Sequence, residues 1–245
     1  IVGSGSQDAI NFNLGAGNVF TYASNFTGIN QVDINSGTVV LNGANTAALV
    51  DVFNGSTLAG TGSISALGAT LTIHAGGTLA PGPIGGIGTF SVTGSLVFQS
   101  AADYMINING TTYSKTAVMT GTATLGGANV EVGGTVSTNT KYTILTDTGG
   151  GIGGANIFNP NVTYGIYKGT LSYDADDVYL TFMFESLLPL LPPGAPQNVI
   201  NVANAIDNFI AGGGTLPPQF SNLLNLTGAQ LENTLAALEG QNATG

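Results

Sequence analysis

The sequence predicts an all-β solenoid over residues 1–185, followed by a small α-helical region. Short runs rich in Val, Ile, Thr, Leu and Phe alternate with glycine throughout the first part, as in strands joined by tight turns. Several of these runs resemble one another, as the rungs of a repeat do. Charged residues make up only 7% of the chain, against about 25% in ordinary domains, and stacked rungs tolerate few like charges.

The strand prediction rests on short runs in which apolar and polar residues alternate with period two. That period is the mark of a half-buried strand, and no window before residue 185 has a convincing helical period. The clearest runs are Gln31–Asn35, Thr38–Leu41, Thr70–Ile73, Thr89–Val92, Ser95–Phe98, Asn129–Val132 and Tyr142–Leu145.

A glycine-led unit recurs along this part of the chain. In each unit a glycine is followed by a small polar residue and then by an alternating apolar run. Such units begin at Gly37, Gly68 and Gly94, which lie 31 and 26 residues apart, and similar units begin at Gly77 and Gly121. Such periods are typical of solenoids, whose rungs bury their apolar faces against their neighbours. A closed β-sandwich would show a similar number of strands. We favour the solenoid because Asn and Thr ladders stack well on themselves.

The residue composition and pattern change after Ser186. Residues 186–196 contain four prolines, which remove N–H donors and fix φ, so we expect a stiff linker. Residues 197–245 predict short helices. Their apolar positions at helical spacing are Val199, Val202, Ala203, Ile206, Phe209 and Ile210 before Gly212–Gly214, then Phe220, Leu223 and Leu224 after Pro217-Pro218, and finally Leu231, Leu235 and Leu238 before Gly240.

The charge balance excludes several classes of function. The chain has 3 lysines, no arginine, 13 acidic residues and no cysteine, for a net charge of −10. Nucleic-acid binding needs a cationic surface, so we expect no nucleic-acid partner. Arginine clamps, disulfides and thiol chemistry are excluded as well.

His74 is the only imidazole, at the end of the run Leu71–Ile73. A general base or metal ligand is one interpretation. We favour an exposed polar residue at a strand end, because His74 alternates outward if Leu71 and Ile73 point inward.

Asp174, Asp176 and Asp177 raise the question of calcium, which takes about six to eight oxygen ligands. We favour a hairpin turn between Leu171–Tyr173 and Val178–Leu180, since a short Asp-rich connection is what such a turn requires.

Two enzyme-like features are weighed and set aside. β-Helical polysaccharide lyases and hydrolases need clustered carboxylates, whereas the acidic residues here are spread singly, as Asp8, Asp33, Asp51, Asp103 and Glu131. The glycine-rich stretch 149–154 lacks the Lys-Ser/Thr that follows in a phosphate loop. We therefore predict no enzyme, with no catalytic, metal-binding or cofactor-binding residue and no cofactor.

One motif resembles a known family. Gly76-Gly77-Thr78-Leu79-Ala80-Pro81-Gly82, followed by Ile87-Gly88-Thr89-Phe90, resembles the passenger-associated transport repeat of bacterial type V autotransporters. Residues 101–109, 119–127, 141–146 and 171–182 are similar to the stretch that follows in that family, and the helical tail is similar to the region that joins the passenger to its barrel. Pro83–Gly86 stands where the family has an Asn-Ser pair, and this lengthens a turn.

The resemblance implies a right-handed parallel β-helix passenger (1–185) with an autochaperone-like part at 76–185, a linker at 186–196 and helices at 197–245. It further implies secretion through the protein's own C-terminal outer-membrane β-barrel translocator. The passenger would be a non-catalytic scaffold or adhesin stalk at the surface of a Gram-negative bacterium, and its last rungs would template folding. The alternative is a self-assembling extracellular module, and a polysaccharide-active enzyme is the third interpretation.

Overall fold

The structure, a computed structural model, describes residues 1–5, 7–152, 157–212, 214, 216–217, 220, 223 and 226–238, with only the backbone of 66–67. Pro218 and Leu224 of the predicted second helical stretch, Gly213, Gly153–Gly154 and Gly240 lie outside the described residues. The strands are β1 (Ala9–Asn13), β2 (Val19–Tyr22), β3 (Ile29–Leu41), β4 (Ala44–Asn45), β5 (Ala47–Val52), β6 (Ser56–Gly60), β7 (Ser63–Ile73), β8 (Thr78–Pro81), β9 (Thr89–Phe98), β10 (Asp103–Gly110), β11 (Thr112–Tyr113), β12 (Lys115–Val118), β13 (Ala123–Thr124), β14 (Asn129–Val136), β15 (Lys141–Asp147), β16 (Val162–Tyr164), β17 (Tyr167–Tyr173) and β18 (Asp177–Phe184).

The strands form a parallel β-solenoid of about six turns, so the predicted fold class is confirmed. One parallel ladder joins β1, β3, β5, β7 and β9 in that order, and a second joins β2, β3, β6, β8, β10 and β14. β3 belongs to both ladders, and Gly37 with φ 81° lies between its two halves. Every strand run that the sequence analysis singled out lies in or overlaps one of these strands.

The observed rungs differ from the predicted repeat at one point. Thr38 lies beside Thr57, Thr57 beside Thr78, and Thr78 beside Asp103, so successive turns take 19, 21 and 25 residues. The interval of 31 residues from Gly37 to Gly68 is therefore not a rung, and that part of the prediction is wrong. The two units belong to different ladders, and both have the same pattern because every strand of the solenoid buries one face.

The units at Gly68, Gly94 and Gly121 do stack as predicted. Thr70 lies beside Ser95 and Leu96 beside Ala123. Gly94 adopts φ 142°, and a Cβ there would lie 2.3 Å from the carbonyl oxygen of Ala69. The position requires glycine because any side chain would collide with the backbone of the rung beside it.

The interior consists of columns of apolar side chains that run from rung to rung. Inward-facing residues of neighbouring strands lie in register, and each contributes about 1.5–3 kcal/mol of burial free energy. Two such columns are Ile34, Val52, Ile73 and Phe98 in the first ladder and Val39, Leu58, Leu79 and Tyr104 in the second, all of them 1% exposed or less.

A polar column runs along the outside of the second ladder. Thr38, Thr57 and Thr78 lead to Asp103 and Asn129 in register. The Asn129 amide donates to the Asp103 carboxylate at 3.0 Å, and the Asn159 amide donates to the Asn129 side-chain oxygen at 3.0 Å. The expectation that Thr and Asn occupy the ladders is confirmed for this column.

At the C-terminal end of the solenoid, here called the closed end, an antiparallel strand covers β15. β18 pairs antiparallel with β15 from Lys141↔Thr181 to Thr146↔Asp177, whereas the earlier rungs pair in parallel. β10 and β11 form a second antiparallel pair. The predicted turn between β17 and β18 is confirmed, since the N–H of Asp174 donates to the carbonyl oxygen of Asp177 at 3.1 Å.

The loop with Pro83–Gly86 is a closed turn. Gly86 N–H donates to the Pro83 carbonyl oxygen at 2.7 Å. Immediately before it, Gly60 and Gly82 exchange two backbone hydrogen bonds of 2.7 Å. The loop leaves Ile84 59% exposed.

The chain divides into two compact units. One comprises residues 1–162 and 170–181, and the other comprises 163–169 and 182–245. The second unit has its own core, in which Leu187, Val199, Ala203, Leu231 and Leu235 are buried. The predicted boundaries at 185/186 and 196/197 stay predictions.

The helices of the second unit agree with the sequence pattern. α1 (Gln197–Ala211) ends at Gly212, and α2 (Gly228–Leu238) buries Leu231 and Leu235. Within residues 186–196 a 3₁₀ helix covers Leu188–Leu190. The Asp207 carboxylate accepts the N–H of Leu187 at 2.9 Å. Among the described helices, none has the length and apolar character needed to span a membrane.

Tyr104 makes alkaline stability testable. Its side chain is fully buried, its hydroxyl donates to the Ile144 carbonyl oxygen, and the Thr116 hydroxyl lies 3.0 Å away. Burial raises the pKa of Tyr104 above its usual value of 10.0. The folded state therefore keeps its proton where the unfolded chain releases it, and this contribution is complete below pH 10 and is lost above it.

We expect the free energy of unfolding to fall above pH 10, by about 1.4 kcal/mol per pH unit for each such group. Tyr104→Phe removes one of these titrating groups, so the unfolding free energy should fall less steeply with pH above pH 10. At pH 8 the variant should be less stable by about 1 kcal/mol, because it lacks the hydrogen bond of the hydroxyl. Urea unfolding at several pH values measures both effects. An unchanged slope would show that Tyr104 is not linked to unfolding.

Candidate functional site

A polar cluster on the outside of the first ladder, here called the carboxylate ladder, contains Gln31, Asp33, Asp51 and His74. Asp33 lies beside Asp51 in the parallel register of β3 and β5. Gln31, two residues before Asp33, faces the same side because side chains alternate along a strand. His74 directly follows the last residue of β7, which pairs with β5.

Hydrogen bonds join the four side chains. The Gln31 amide donates to the Asp33 carboxylate at 2.5 Å and to the Asp51 carboxylate at 2.7 Å. His74 Nε2 lies 2.8 Å from Asp51 Oδ1. One amide group therefore bridges two carboxylates that would otherwise repel each other across the ladder.

The ring of His74 is fixed on its other side by Phe53. The two rings are stacked, with centroids 4.6 Å apart and an interplanar angle of 7°. The His74 side chain is 27% exposed and that of Asp51 is 20% exposed. The imidazole thus has both a stacking partner and an anionic partner.

The structure corrects two sequence-based expectations at this point. Asp33 and Asp51 are not spread singly, because a turn of the solenoid brings residues 18 positions apart into register. His74 does lie at a strand end, but it is half-buried and paired instead of exposed. Sequence reasoning missed Gln31 as a member of the site, although its spacing of two from Asp33 was the available signal.

The hydrogen bonds of the carboxylate ladder join successive rungs of the solenoid. Both carboxylates accept from Gln31, and Asp51 also contacts His74. Its four side chains do not line the three cavities described below. Within the described residues, no group of three or more His, Cys, Asp or Glu side chains is arranged to hold a metal ion.

The Asp-rich turn before β18 also satisfies its carboxylates internally. Asp174 Oδ1 accepts the N–H groups of Asp176 and Asp177 at 3.1 and 2.8 Å, and the Tyr179 hydroxyl donates to Asp174 Oδ2 at 2.6 Å. The Tyr179 hydroxyl, with these N–H groups, lowers the pKa of Asp174, and the same bond to Asp174 raises the pKa of Tyr179. Lys141 Nζ lies 3.3 Å from the centroid of the Tyr179 ring.

Asp147 is a fully buried carboxylate at the end of β15. It accepts the N–H of Ala123 at 2.7 Å and those of Gly149 and Gly150 at 3.0 and 3.3 Å. In the glycine-rich stretch 149–154, two N–H groups that a phosphate loop would offer to its ligand are therefore bound to Asp147.

Two neighbouring cavities lie beside the loop that contains Pro83–Gly86. The first has a volume of about 490 Å³ and is lined by Thr38, Thr57 and Thr78 among others, and the second has a volume of about 440 Å³. They share Gly85 and Asn107. No charged residue lines either of them, so they lack the convergent ionisable groups of most catalytic clefts.

A third cavity, of about 380 Å³, lies in the helical unit. Its lining is apolar and consists of Val202, Ala205, Ile206, Phe209, Leu216, Pro217, Phe220 and Leu238.

The carboxylate ladder yields a prediction on charge. Asp33→Asn removes one of two facing negative charges and keeps an acceptor for Gln31, so we expect a gain in unfolding free energy of about 0.5 kcal/mol. Added salt should shrink the gain. Asp51→Asn, the matched variant, also weakens the contact with His74 and should gain less. Thermal unfolding at low and high salt measures this, and equal or reversed effects of the two variants would contradict it.

Asp147 yields a prediction on buried hydrogen bonds. Asp147→Ala removes the acceptor of the buried Ala123 N–H and of the N–H groups of the exposed Gly149 and Gly150, and should lower the unfolding free energy by about 2 kcal/mol. Asp147→Asn keeps one acceptor oxygen and should lose less. Urea unfolding measures both losses, and a loss below about 1 kcal/mol for the alanine variant would show that water replaces the carboxylate.

The sequence matches no protein-family model and no curated protein. Its function is therefore inferred from its own residues and fold.

Proposed function

We propose that this chain is a non-catalytic structural passenger of a type V autotransporter, exposed at the surface of a Gram-negative bacterium as a scaffold or adhesin stalk. In this proposal the last rungs of the solenoid fold first and template the rungs before them. The partner is the protein's own outer-membrane translocator. The sequence support is the resemblance at 76–82 and 87–90.

The single observation that carries the proposal is that the C-terminal end of the solenoid is the closed end. β18 covers the outer edge of β15 in antiparallel register. The earlier rungs pair in parallel with their neighbours, as in the ladder from β3 to β5 and β7. A terminal strand that covers the last rung gives a place where folding starts and from which it propagates rung by rung.

Aromatic packing near the closed end supports a stable nucleus. Phe98, Tyr104 and Phe158 are buried and contact one another, with ring centroids 5.3 to 5.5 Å apart. Such pairs contribute about 0.5–1.5 kcal/mol beyond the area they bury. Tyr142 is fully buried as well, and its hydroxyl donates to the Gly110 carbonyl oxygen at 2.7 Å.

The hydrogen bonds of the carboxylates support a scaffold in preference to an enzyme. The carboxylates of Asp51, Asp147 and Asp174 each bind groups of the chain itself. Among the described residues, every buried side-chain nitrogen or oxygen has a hydrogen-bond partner. A catalytic acid or base would instead direct a hydrogen-bonding position at a substrate.

Folding kinetics test the templating role with two matched variants. The variants are Val178→Ala and Val50→Ala. Val178 lies on β18 at the closed end, Val50 lies on β5 near the other end, and both side chains are fully buried. We expect nearly all of the loss in unfolding free energy caused by Val178→Ala to appear as a lower refolding rate. For Val50→Ala we expect the loss to appear as a higher unfolding rate instead.

Stopped-flow refolding and unfolding of each variant give the two rates, and urea titration gives the equilibrium effect. Each substitution should lower the unfolding free energy by about 1–3 kcal/mol. That loss is large enough to measure which part of it appears in the refolding rate. A larger effect of Val50→Ala than of Val178→Ala on the refolding rate would place the nucleus at the other end and refute the proposed direction of folding.

A further inference from the structure

The two cavities beside Pro83–Gly86 adjoin each other on the outside of the second ladder and are here called the loop groove. The larger cavity crosses five successive strands of this ladder, β3, β6, β8, β10 and β14. Neighbouring strands lie about 4.8 Å apart, so the groove extends about 19 Å across them. The side chains that matter below are those of Thr38, Thr57, Thr78, Ile84 and Asn107.

One wall of the loop groove is a preformed turn. The Gly86 N–H donates to the Pro83 carbonyl oxygen at 2.7 Å, and this bond closes the turn. The Ser114 hydroxyl donates to the Gly86 carbonyl oxygen at 3.3 Å, and this bond ties the turn to the next rung. A wall that is held in place before binding loses little conformational entropy when a ligand arrives.

The polar side chains of the loop groove are not used by the fold. The hydroxyls of Thr38, Thr57 and Thr78 and the side-chain amide of Asn107 have no hydrogen-bond partner among the described residues. The side chains of the carboxylate ladder, in contrast, bond to one another. Every fully buried side-chain nitrogen or oxygen of the described residues has a partner, so these four half-buried groups reach solvent and are available to a ligand.

The remaining lining of the loop groove is apolar and uncharged. Ile84 is 59% exposed, and Met105 and Val132 line the same cavity. No charged residue lines either part of the groove, and the chain has a net charge of −10, which repels anions. The matching ligand is therefore neutral, rich in hydroxyl groups and apolar on part of its surface. A neutral sugar has these properties, since its hydroxyls lie around the rim of a ring whose faces carry C–H groups.

The spacing of the threonines favours an extended chain of sugars. Thr38, Thr57 and Thr78 lie in register on successive strands. Their hydroxyls therefore recur about every 4.8 Å, which is close to the length of one unit in an extended β-1,4-linked oligosaccharide. An extended peptide advances about 3.3 Å per residue and does not match this repeat. Peptides are also commonly captured at a sheet edge, whereas this groove lies on a sheet face.

We propose that the loop groove binds a neutral, extended β-1,4-linked oligosaccharide that runs across the strands. The hydroxyls of Thr38, Thr57 and Thr78 and the amide of Asn107 bond to sugar hydroxyls, and Ile84 packs against the face of a ring. The site binds its ligand and breaks no bond. This goes beyond the proposed function and does not depend on it, because the groove lies within the solenoid whatever the route of secretion.

Isothermal titration calorimetry with defined oligosaccharides tests the proposal. The probes are cellopentaose, mannopentaose and chitopentaose, which are neutral and β-1,4-linked. We expect at least one of them to bind with a dissociation constant of about 1 mM or smaller. Maltopentaose, whose α-1,4 linkages curve the chain, should bind at least about tenfold more weakly. The β-1,4-linked pentamer of glucuronate should also bind more weakly at low salt, because the protein is anionic.

Variants with matched controls locate the site. Thr57→Val keeps the β-branched shape and removes one hydroxyl, so the dissociation constant should rise about fivefold. The control is Thr70→Val, on β7 and also half-buried, which lines neither part of the groove and should change it less than about twofold.

A second pair of variants tests the apolar contact. Ile84→Ser removes exposed apolar surface from the wall and should raise the dissociation constant about threefold or more. Leu49→Ser, on β5 and 46% exposed, is its control and should leave binding within about twofold. Circular dichroism and urea unfolding check that all four variants are folded.

Four results would overturn the proposal. The first is that none of the three β-1,4-linked probes binds with a dissociation constant of about 1 mM or smaller. The second is equal or tighter binding of maltopentaose or of the glucuronate pentamer. The third is that Thr57→Val and Ile84→Ser weaken binding no more than their controls do. The fourth is that a Ser-Gly repeat peptide, the uncharged peptide probe, binds as tightly as the oligosaccharides.

Discussion

In-register parallel stacking is the constraint on which the rest of the structure depends. Each turn adds one strand to each ladder, so a residue contacts its counterparts on the turns above and below. This register aligns Val39, Leu58 and Leu79 in an apolar column and Thr38 and Thr57 in a polar one. Stability is then a sum of neighbouring contacts, and a nearly uncharged composition avoids repulsion within the columns.

The register also explains how facing carboxylates are tolerated in the solenoid. Asp33 and Asp51 face each other, and they are tolerated because Gln31 donates to both. Asp147 is buried at a corner, where backbone N–H groups surround it. The carboxylates of Asp33, Asp51 and Asp147 thus have donors from their own or a neighbouring rung. These hydrogen bonds join neighbouring rungs of the solenoid.

The C-terminal end of the solenoid differs from the other rungs, and the proposed direction of folding rests on that difference. The closed end combines an antiparallel strand with a buried aromatic cluster, so it is suited to nucleate folding.

The sequence by itself determined the class of the fold, the positions of its strands and the faces of α1 and α2. These follow from local periodicity and glycine placement, which every stretch of chain carries in its own residues. The tertiary structure alone decided the rung length, the pairing of Asp33 with Asp51 and the half-buried state of His74. Those features depend on which turns become neighbours, and that register is set by loop lengths and corner geometry that period-two alternation does not encode.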